Sequence, residues 1–217
     1  KKCWLVQLPK YLEADEIFRK DYAYFSSTST SWCAHAKDFV NNSAKKLNLN
    51  EKSFVVEIAS NDGYLLQYFK ELNIPILGIE PTFDTAQAAI KKFIPTLNEF
   101  FNSQLAYKIK ESHLPTKLAD LVIANNVLAH VPDINDFMKG MKIILSDEGI
   151  ISIEFPHLLN LIKNNQFDTI YHEHFSYIGL LTLQKISDSV DLEIIDVEEI
   201  KTHGGSLRVY LTHKNKI

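Results

Sequence analysis

Phe54-Val55-Val56-Glu57-Ile58 is a short apolar, β-branched run broken only by Glu57, the pattern of a strand buried on both faces. Ser60-Asn61-Asp62-Gly63 follows as a sharp polar turn, with helix-capping residue types just ahead of Tyr64-Leu65-Leu66. From there the pattern alternates between strand-like and helix-like runs. It predicts a helix over 64–72, a strand over 76–79 ending in Glu80, and a helix around 86–92. A short strand at 95–97 leads into Asn98-Glu99-Phe100-Phe101. A strong strand over 120–124 is closed by Asn125 and Asn126, and a helix over 137–145 ends near Gly149. A fifth strand over 150–155 is stopped by Pro156. After a helix near 180–187, two alternating runs at 192–197 and 206–212 are joined through His203-Gly204-Gly205 and read as an antiparallel pair. The expected fold is α/β: a Rossmann-like, doubly wound sheet with an antiparallel C-terminal strand pair.

Residues 1–50 differ from this core. They are polar-aromatic and mostly helical in pattern, interrupted at 22–31 by a hydroxyl-rich stretch that competes with helix hydrogen bonds. An amphipathic period resumes over 35–47, with Phe39, Val40 and Ala44 on one face. Tyr22, Tyr24 and Phe25 fit two readings, packing against the sheet or a lid folded over its ligand corner.

The composition narrows the function classes. At 217 residues the chain is long enough to bury a large core, and 46% hydrophobic with 23% charged residues is ordinary for a globular protein. A formal charge of −4 argues against binding a nucleic acid polymer, which needs clustered basic residues. No apolar run of about 18 residues is present to span a membrane, and Lys1-Lys2-Cys3-Trp4 does not begin a signal peptide. Cys3 and Cys33 make neither a disulfide framework nor a complete zinc site, and a cytoplasmic location is expected.

A strand, a small polar turn and a helix start form the ligand corner of a doubly wound sheet. Glu80, about 20 positions beyond the turn, is placed to accept hydrogen bonds from ribose hydroxyls. A pyrophosphate would need a G-x-G-x-x-G turn, but Ala59 occupies the first glycine position and Gly63 is the only glycine. Glu57 and Asp62 would repel a dianion. S-adenosylmethionine, with a cationic sulfonium, a zwitterionic tail and a ribose diol, suits this acidic corner better.

Two histidine-bearing segments follow strands four and five, at Asn126-Val-Leu-Ala-His130-Val-Pro132-Asp133 and Phe167-Asp168-Thr-Ile-Tyr171-His172-Glu173-His174-Phe-Ser-Tyr177. Both emerge where α/β enzymes place chemistry. In an extended loop His172 and His174 point the same way, and with His130 they would be candidate metal ligands, although the helical H-E-x-x-H spacing is absent. A structural role is a second reading. General-base work by a histidine supported by Glu173 is the preferred one, with no metal expected.

Together, Asp21-Tyr-Ala-Tyr24-Phe-Ser-Ser, Glu57-Ile-Ala-Ser60-Asn61-Asp-Gly63, Gly78-Ile-Glu80-Pro81, Asn126…His130-Val-Pro132, Tyr171-His-Glu173-His174 and His203-Gly-Gly-Ser-Leu-Arg208 resemble the S-adenosylmethionine-dependent sugar C-methyltransferases of deoxysugar biosynthesis. The element order is likewise that of class I methyltransferases. The resemblance implies a methyltransferase domain over 51–217 with residues 1–50 as a helical lid segment. It also implies methylation of the carbon beside a ketone of a nucleotide-linked 4-keto-deoxysugar, with S-adenosylhomocysteine as the second product. It places Tyr171, Glu173 and His174 in the catalytic cluster, His130 beside them, and Tyr24 as the lid tyrosine. Glu57, Ser60, Asn61, Gly63, Glu80, Pro81, Phe100 and Asn126 fall on the methyl-donor side. Family members have three parts, and here Cys3-Trp-Leu-Val-Gln-Leu8 resembles only the trailing edge of their zinc module. O- or N-methylation of another metabolite, and a non-catalytic nucleotide-binding module, are the rival readings.

Overall fold

The computed structural model describes residues 3–9, 12–18, 24–112 and 117–214. The elements in chain order begin with β1 (Val6–Gln7), α1 (Ala14–Ile17), α2 (Thr30–Lys46), β2 (Val55–Ile58), α3 (Leu66–Glu71) and β3 (Ile76–Ile79). They continue with α4 (Phe83–Lys91), β4 (Thr96–Leu97), α5 (Ser103–Glu111), β5 (Ala119–Asn125), α6 (Ile134–Ile144) and β6 (Leu145–Pro156). The last are α7 (Leu158–Lys163), β7 (Ser176–Tyr177), α8 (Leu180–Ser189), β8 (Leu192–Ile200) and β9 (Ser206–His213).

Seven strands form one sheet in the order β4-β3-β2-β5-β6-β9-β8. The first five are parallel, and β9 joins β6 and β8 antiparallel, as the alternation of the C-terminal runs led one to expect. Strand residues alternate between two cores because successive side chains point to opposite faces. Val56, Ile58, Val122, Ala124, Ile151 and Ile153 pack with α5, α6 and α8, while Val55, Leu121 and Ile123 pack with α2 and α3. Both faces are therefore covered, which is why the central strands are near-continuous apolar runs.

Helix α2 shows how the sequence encodes its place. Ser29 caps it by accepting from the Trp32 N–H at 3.2 Å, and Ala36, Phe39, Val40 and Ser43 form the buried stripe at helical spacing. The same alternation that buries Ile151, Ile153 and Phe155 on one face of β6 turns Ser152 and Glu154 toward α2. On β9 it turns Arg208 and Tyr210 the same way, so a polar layer lies between this end of the sheet and α2.

Four features depart from the sequence expectations. Helix α5, capped by Asn102 accepting from Leu105 N–H at 2.8 Å, was not anticipated between the third and fourth core strands. Helix α6 ends at Ile144, and Gly149 lies inside β6, where a Cβ would stand 2.7 Å from the Ala119 carbonyl oxygen. Ser60–Asp62 do not cap α3, whose first residue follows Leu65. The short strands β1 and β7, which pair antiparallel, were likewise not anticipated. No helix of the described residues is long and apolar enough to cross a membrane.

Candidate active site

The strand order reverses between β2 and β5, and a cavity of about 220 Å³ opens there, outside the carboxyl ends of the parallel strands. Its wall takes Ala59 and Asn61 from the turn after β2, Glu80 and Pro81 from the end of β3, and Asn125 and Asn126 from the end of β5. Phe100 and Phe101 supply an apolar side, and Tyr24, Trp32, His130 and His203 close the rest.

The turn works with one glycine because two other residues accept left-handed backbone. Ala59 and Asn61 have φ of 56° and 50°, and Gly63, at 76°, sits where a Cβ would fall 2.3 Å from Ile94 Cδ1. This geometry sends the Asn61 and Asp62 side chains away from α3 and into the N-terminal segment. Asn61 Oδ1 accepts from Ser26 N–H at 2.8 Å, and its Nδ2 donates to the Tyr24 carbonyl at 2.9 Å. The Asp62 carboxylate accepts from the Ser27 N–H and hydroxyl and from Lys92 Nζ at 3.2 Å. Tyr24 is 56% exposed at the cavity mouth. Tyr22 lies outside the described residues.

Glu80 is buried and held in place. It accepts from Asn61 N–H at 2.9 Å and from the Thr82 N–H at 2.8 Å and hydroxyl. Burial pushes its pKa upward against those donors. Glu57 lies deeper, beneath the turn rather than on the wall, and burial together with Glu80 and Asp62 raises its carboxyl well above the ordinary range. Several buried polar atoms here have no hydrogen-bond partner among the described residues: Glu57 Oε2, Ser60 Oγ, Asn125 Oδ1, and both amide atoms of Asn126. Buried groups left unpaired are costly, so this set is shaped for a polar ligand. An acidic strand end, orphaned amides and an apolar side fit a nucleoside carrying a charged amino-acid tail.

The second group stands beside the cavity. His130 lies on the wall, and its Nδ1 donates to the Glu173 carbonyl at 2.9 Å. His174 packs edge-on to His130, ring centroids 4.8 Å apart, and its Nδ1 donates to the Thr169 carbonyl at 2.8 Å. A carbonyl can only accept, so in the neutral rings both Nδ1 atoms carry the proton and each Nε2 presents a lone pair. Tyr171 donates its hydroxyl to His174 Nε2 at 3.1 Å. Burial and the neighbouring His174 lower the His130 pKa to about 4, and burial lowers His174 despite its carbonyl partner and Glu173. Burial also raises Tyr171, with Glu173 adding to it.

Of the residues singled out from the sequence, Tyr24, Asn61, Glu80, Pro81, Phe100, Asn126 and His130 share the cavity wall. Tyr171, Glu173 and His174 form one cluster beside His130, while Glu57 of β2 and Ser60 and Gly63 of the turn are not on the wall. The loop around His172 is not extended: His174 N–H donates to the Tyr171 carbonyl at 2.9 Å, closing a turn. The premise for pairing His172 with His174 therefore fails, and His172 is exposed. Among the described residues no group of three or more His, Cys, Asp or Glu side chains gathers as a metal set. Sequence reasoning missed Trp32, Thr82 and a cluster of His35, Glu154 and Arg208 next to the cavity. A lone acid in the apolar run 150–155 and a lone base in 206–212 were the available signal for that pair.

The fold recurs in solved structures. Magnesium protoporphyrin IX methyltransferase (ChlM) of Synechocystis PCC 6803, solved with bound S-adenosylhomocysteine, superposes with a TM-score of 0.64 at 13% identity, over 84% of this chain and 83% of that one. The PH0226 protein of Pyrococcus horikoshii OT3 superposes with a TM-score of 0.69 at 13% identity, over 92% and 99%. The C-methyltransferase NovU of Streptomyces niveus is 34% identical over 210 residues, which is 97% of this chain and 49% of NovU. This chain thus spans about half the length of that relative. A methyltransferase-domain profile matches residues 24–197, which takes in the cavity wall from Tyr24 to His130 and the Tyr171–His174 cluster. The chain belongs to the methyltransferase-domain family, with the class I fold of the S-adenosylmethionine-dependent enzymes.

Proposed function

We propose that the protein is an S-adenosylmethionine-dependent C-methyltransferase that acts on the carbon beside the ketone of a nucleotide-linked 4-keto-deoxysugar. The observation that carries the reading is the Tyr171–His174–His130 group, two neutral imidazoles with backbone-fixed tautomers beside the cavity. The likeness to NovU supports carbon as the methylated atom. On the donor side Glu80 takes the ribose hydroxyls, and the orphaned amides of Asn125 and Asn126 meet the polar tail. Pro81 and Phe100 provide apolar wall for the base. When bound, S-adenosylmethionine supplies a sulfonium methyl, to which the enolate carbon bonds as the neutral thioether leaves.

The protein's own part is to make that enolate. His174 Nε2 takes the proton from the carbon, and Glu173 favours the imidazolium that results. Tyr171, turning its hydroxyl from Nε2 to the developing enolate oxygen, frees the lone pair and stabilises the new charge in one movement. His130 backs His174 and closes the wall, keeping water from the carbanion.

The test offers labelled donor and a 4-keto-deoxysugar nucleotide to wild-type protein and to His174→Asn in deuterium oxide. The wild type should place the label on carbon and exchange the adjacent proton. His174→Asn should lose both by at least 100-fold while binding S-adenosylhomocysteine normally. Label on oxygen, or exchange at the wild-type rate in the variant, overturns the reading.

A further inference from the structure

His203 has no place in the chemistry above, yet it lines the cavity and its backbone is strained. It has φ 49° and ψ 41°, a left-handed conformation uncommon for a non-glycine residue. Gly204 and Gly205 follow with φ of 73° and 112°, so three successive residues carry positive φ. The α7 region holds this turn. Gln166 Nε2 donates to the Gly204 carbonyl at 2.8 Å, and a Cβ at Gly204 would meet that same nitrogen at 2.3 Å. His157 N–H donates to the Gly205 carbonyl at 3.1 Å, and a Cβ at Gly205 would lie 2.4 Å from Asn160 Nδ2.

A second support comes from the polar layer. Glu154, fully buried, accepts from the Thr202 hydroxyl at 3.2 Å, from His35 Nε2 at 3.1 Å and from Arg208 Nη2 at 2.8 Å. Thr202 directly precedes His203. Trp32 stacks on His35 at 4.9 Å and meets the His203 ring edge-on at 5.0 Å. The His203 ring nitrogens thus lie at the cavity beside this charged cluster, open to solvent and with no hydrogen-bond partner among the described residues.

We propose that His203 binds the methyl acceptor, hydrogen-bonding an uncharged oxygen of its sugar, a hydroxyl or the ketone. This rests on the keto-sugar reading above. The position favours the acceptor over the donor: Glu80 ends β3, and His203 enters β9, four strand spacings away or about 19 Å. Its neighbours are the loops that carry Gln166 and the Tyr171–His174 cluster. Burial lowers its pKa, with His35 and His174 adding to the effect against Glu154, so the ring presents one donor and one acceptor. That pair suits a hydroxyl or carbonyl and not a phosphate.

Two variants test the assignment. His203→Phe keeps an aromatic edge toward Trp32 and removes both nitrogens, and His203→Asn keeps a residue at ease in left-handed backbone. Calorimetry in the presence of saturating S-adenosylhomocysteine should show the keto-sugar nucleotide bound about tenfold more weakly by each variant, the scale of one lost hydrogen bond with a polar group left unpaired. Steady-state kinetics should place most of the loss in acceptor KM and little in kcat, with S-adenosylhomocysteine affinity within twofold of wild type. Unchanged acceptor affinity in a folded variant overturns the assignment, as does a loss confined to S-adenosylhomocysteine binding. If wild-type protein neither binds nor methylates the keto-sugar nucleotide, the functional reading falls and takes this assignment with it.

Discussion

Burying His130 against His174 makes its imidazole a weaker proton acceptor, and the effect reaches stability as well as chemistry. Its pKa is about 4 in the folded chain and near 6.5 when unfolded. Between those values the unfolded chain binds a proton that the folded chain refuses. The stability tied to this ring is therefore fully present above pH 6.5 and is lost as pH falls toward 4. The difference amounts to about 3 kcal/mol from one residue. Urea denaturation of wild type and His130→Asn at pH 7.5 and pH 4 checks it. The wild type should lose about 3 kcal/mol more than the variant over that interval. Equal losses would mean that the ring is solvated and protonates freely. The same burial lowers the pKa of both His130 and His174, so the proposed proton abstraction should persist into mildly acidic solution.

At the scale of elements, what the sequence made legible was what repeats at a fixed period. Strands β2, β5 and β6 contain apolar, β-branched runs, and β9 alternates while β8 does so on either side of a bulge, so the doubly wound sheet could be read from pattern. Glu80 was legible because its spacing from the turn is set by one helix and one strand. Strands β1 and β7 have two residues each and carry no period, and α5 has only nine. The roles of Asn61 and Asp62 were hidden for another reason. Their types suit a helix cap, and only the left-handed backbone at Ala59 and Asn61 directs them instead to Tyr24–Ser27. Asn61 then serves both sides, since its backbone N–H also holds Glu80. Asn61→Ala removes two side-chain hydrogen bonds to the Tyr24–Ser27 segment, about 1 kcal/mol each. Hydrogen exchange over residues 24–29 should quicken roughly 10- to 30-fold, with β2 and β5 unaffected. Unchanged exchange would show that packing of Ser26 and Trp32 secures this segment without the two Asn61 bonds.

At the scale of the whole molecule, one ion cluster joins parts of the chain that are distant in sequence. Arg208 on β9 donates to Glu154 on β6 at 2.8 Å and to Glu198 on β8 at 3.3 Å, and its guanidinium lies over the Phe39 ring of α2. His35 of α2 completes the contact to Glu154. The parallel sheet, the antiparallel pair and helix α2 therefore meet at a single buried carboxylate. Burial alone would raise the Glu154 pKa, but the His35 hydrogen bond and Arg208 outweigh it and hold the group charged. A buried pair of this kind is costly to break from one side and cheap to replace as a whole. Arg208→Met leaves Glu154 without its main counter-charge and should cost about 3–5 kcal/mol in urea unfolding. Adding Glu154→Gln should return much of that loss, because no charge then stays buried. Arg208→Met should also loosen the Trp32–His203 side of the cavity, since Glu154 holds both His35 and Thr202. Trp32 fluorescence should shift in Arg208→Met before global unfolding, and recover in the double variant. A single-variant cost below about 1 kcal/mol would place the cluster among solvated surface pairs and remove its role as the joint between the three layers.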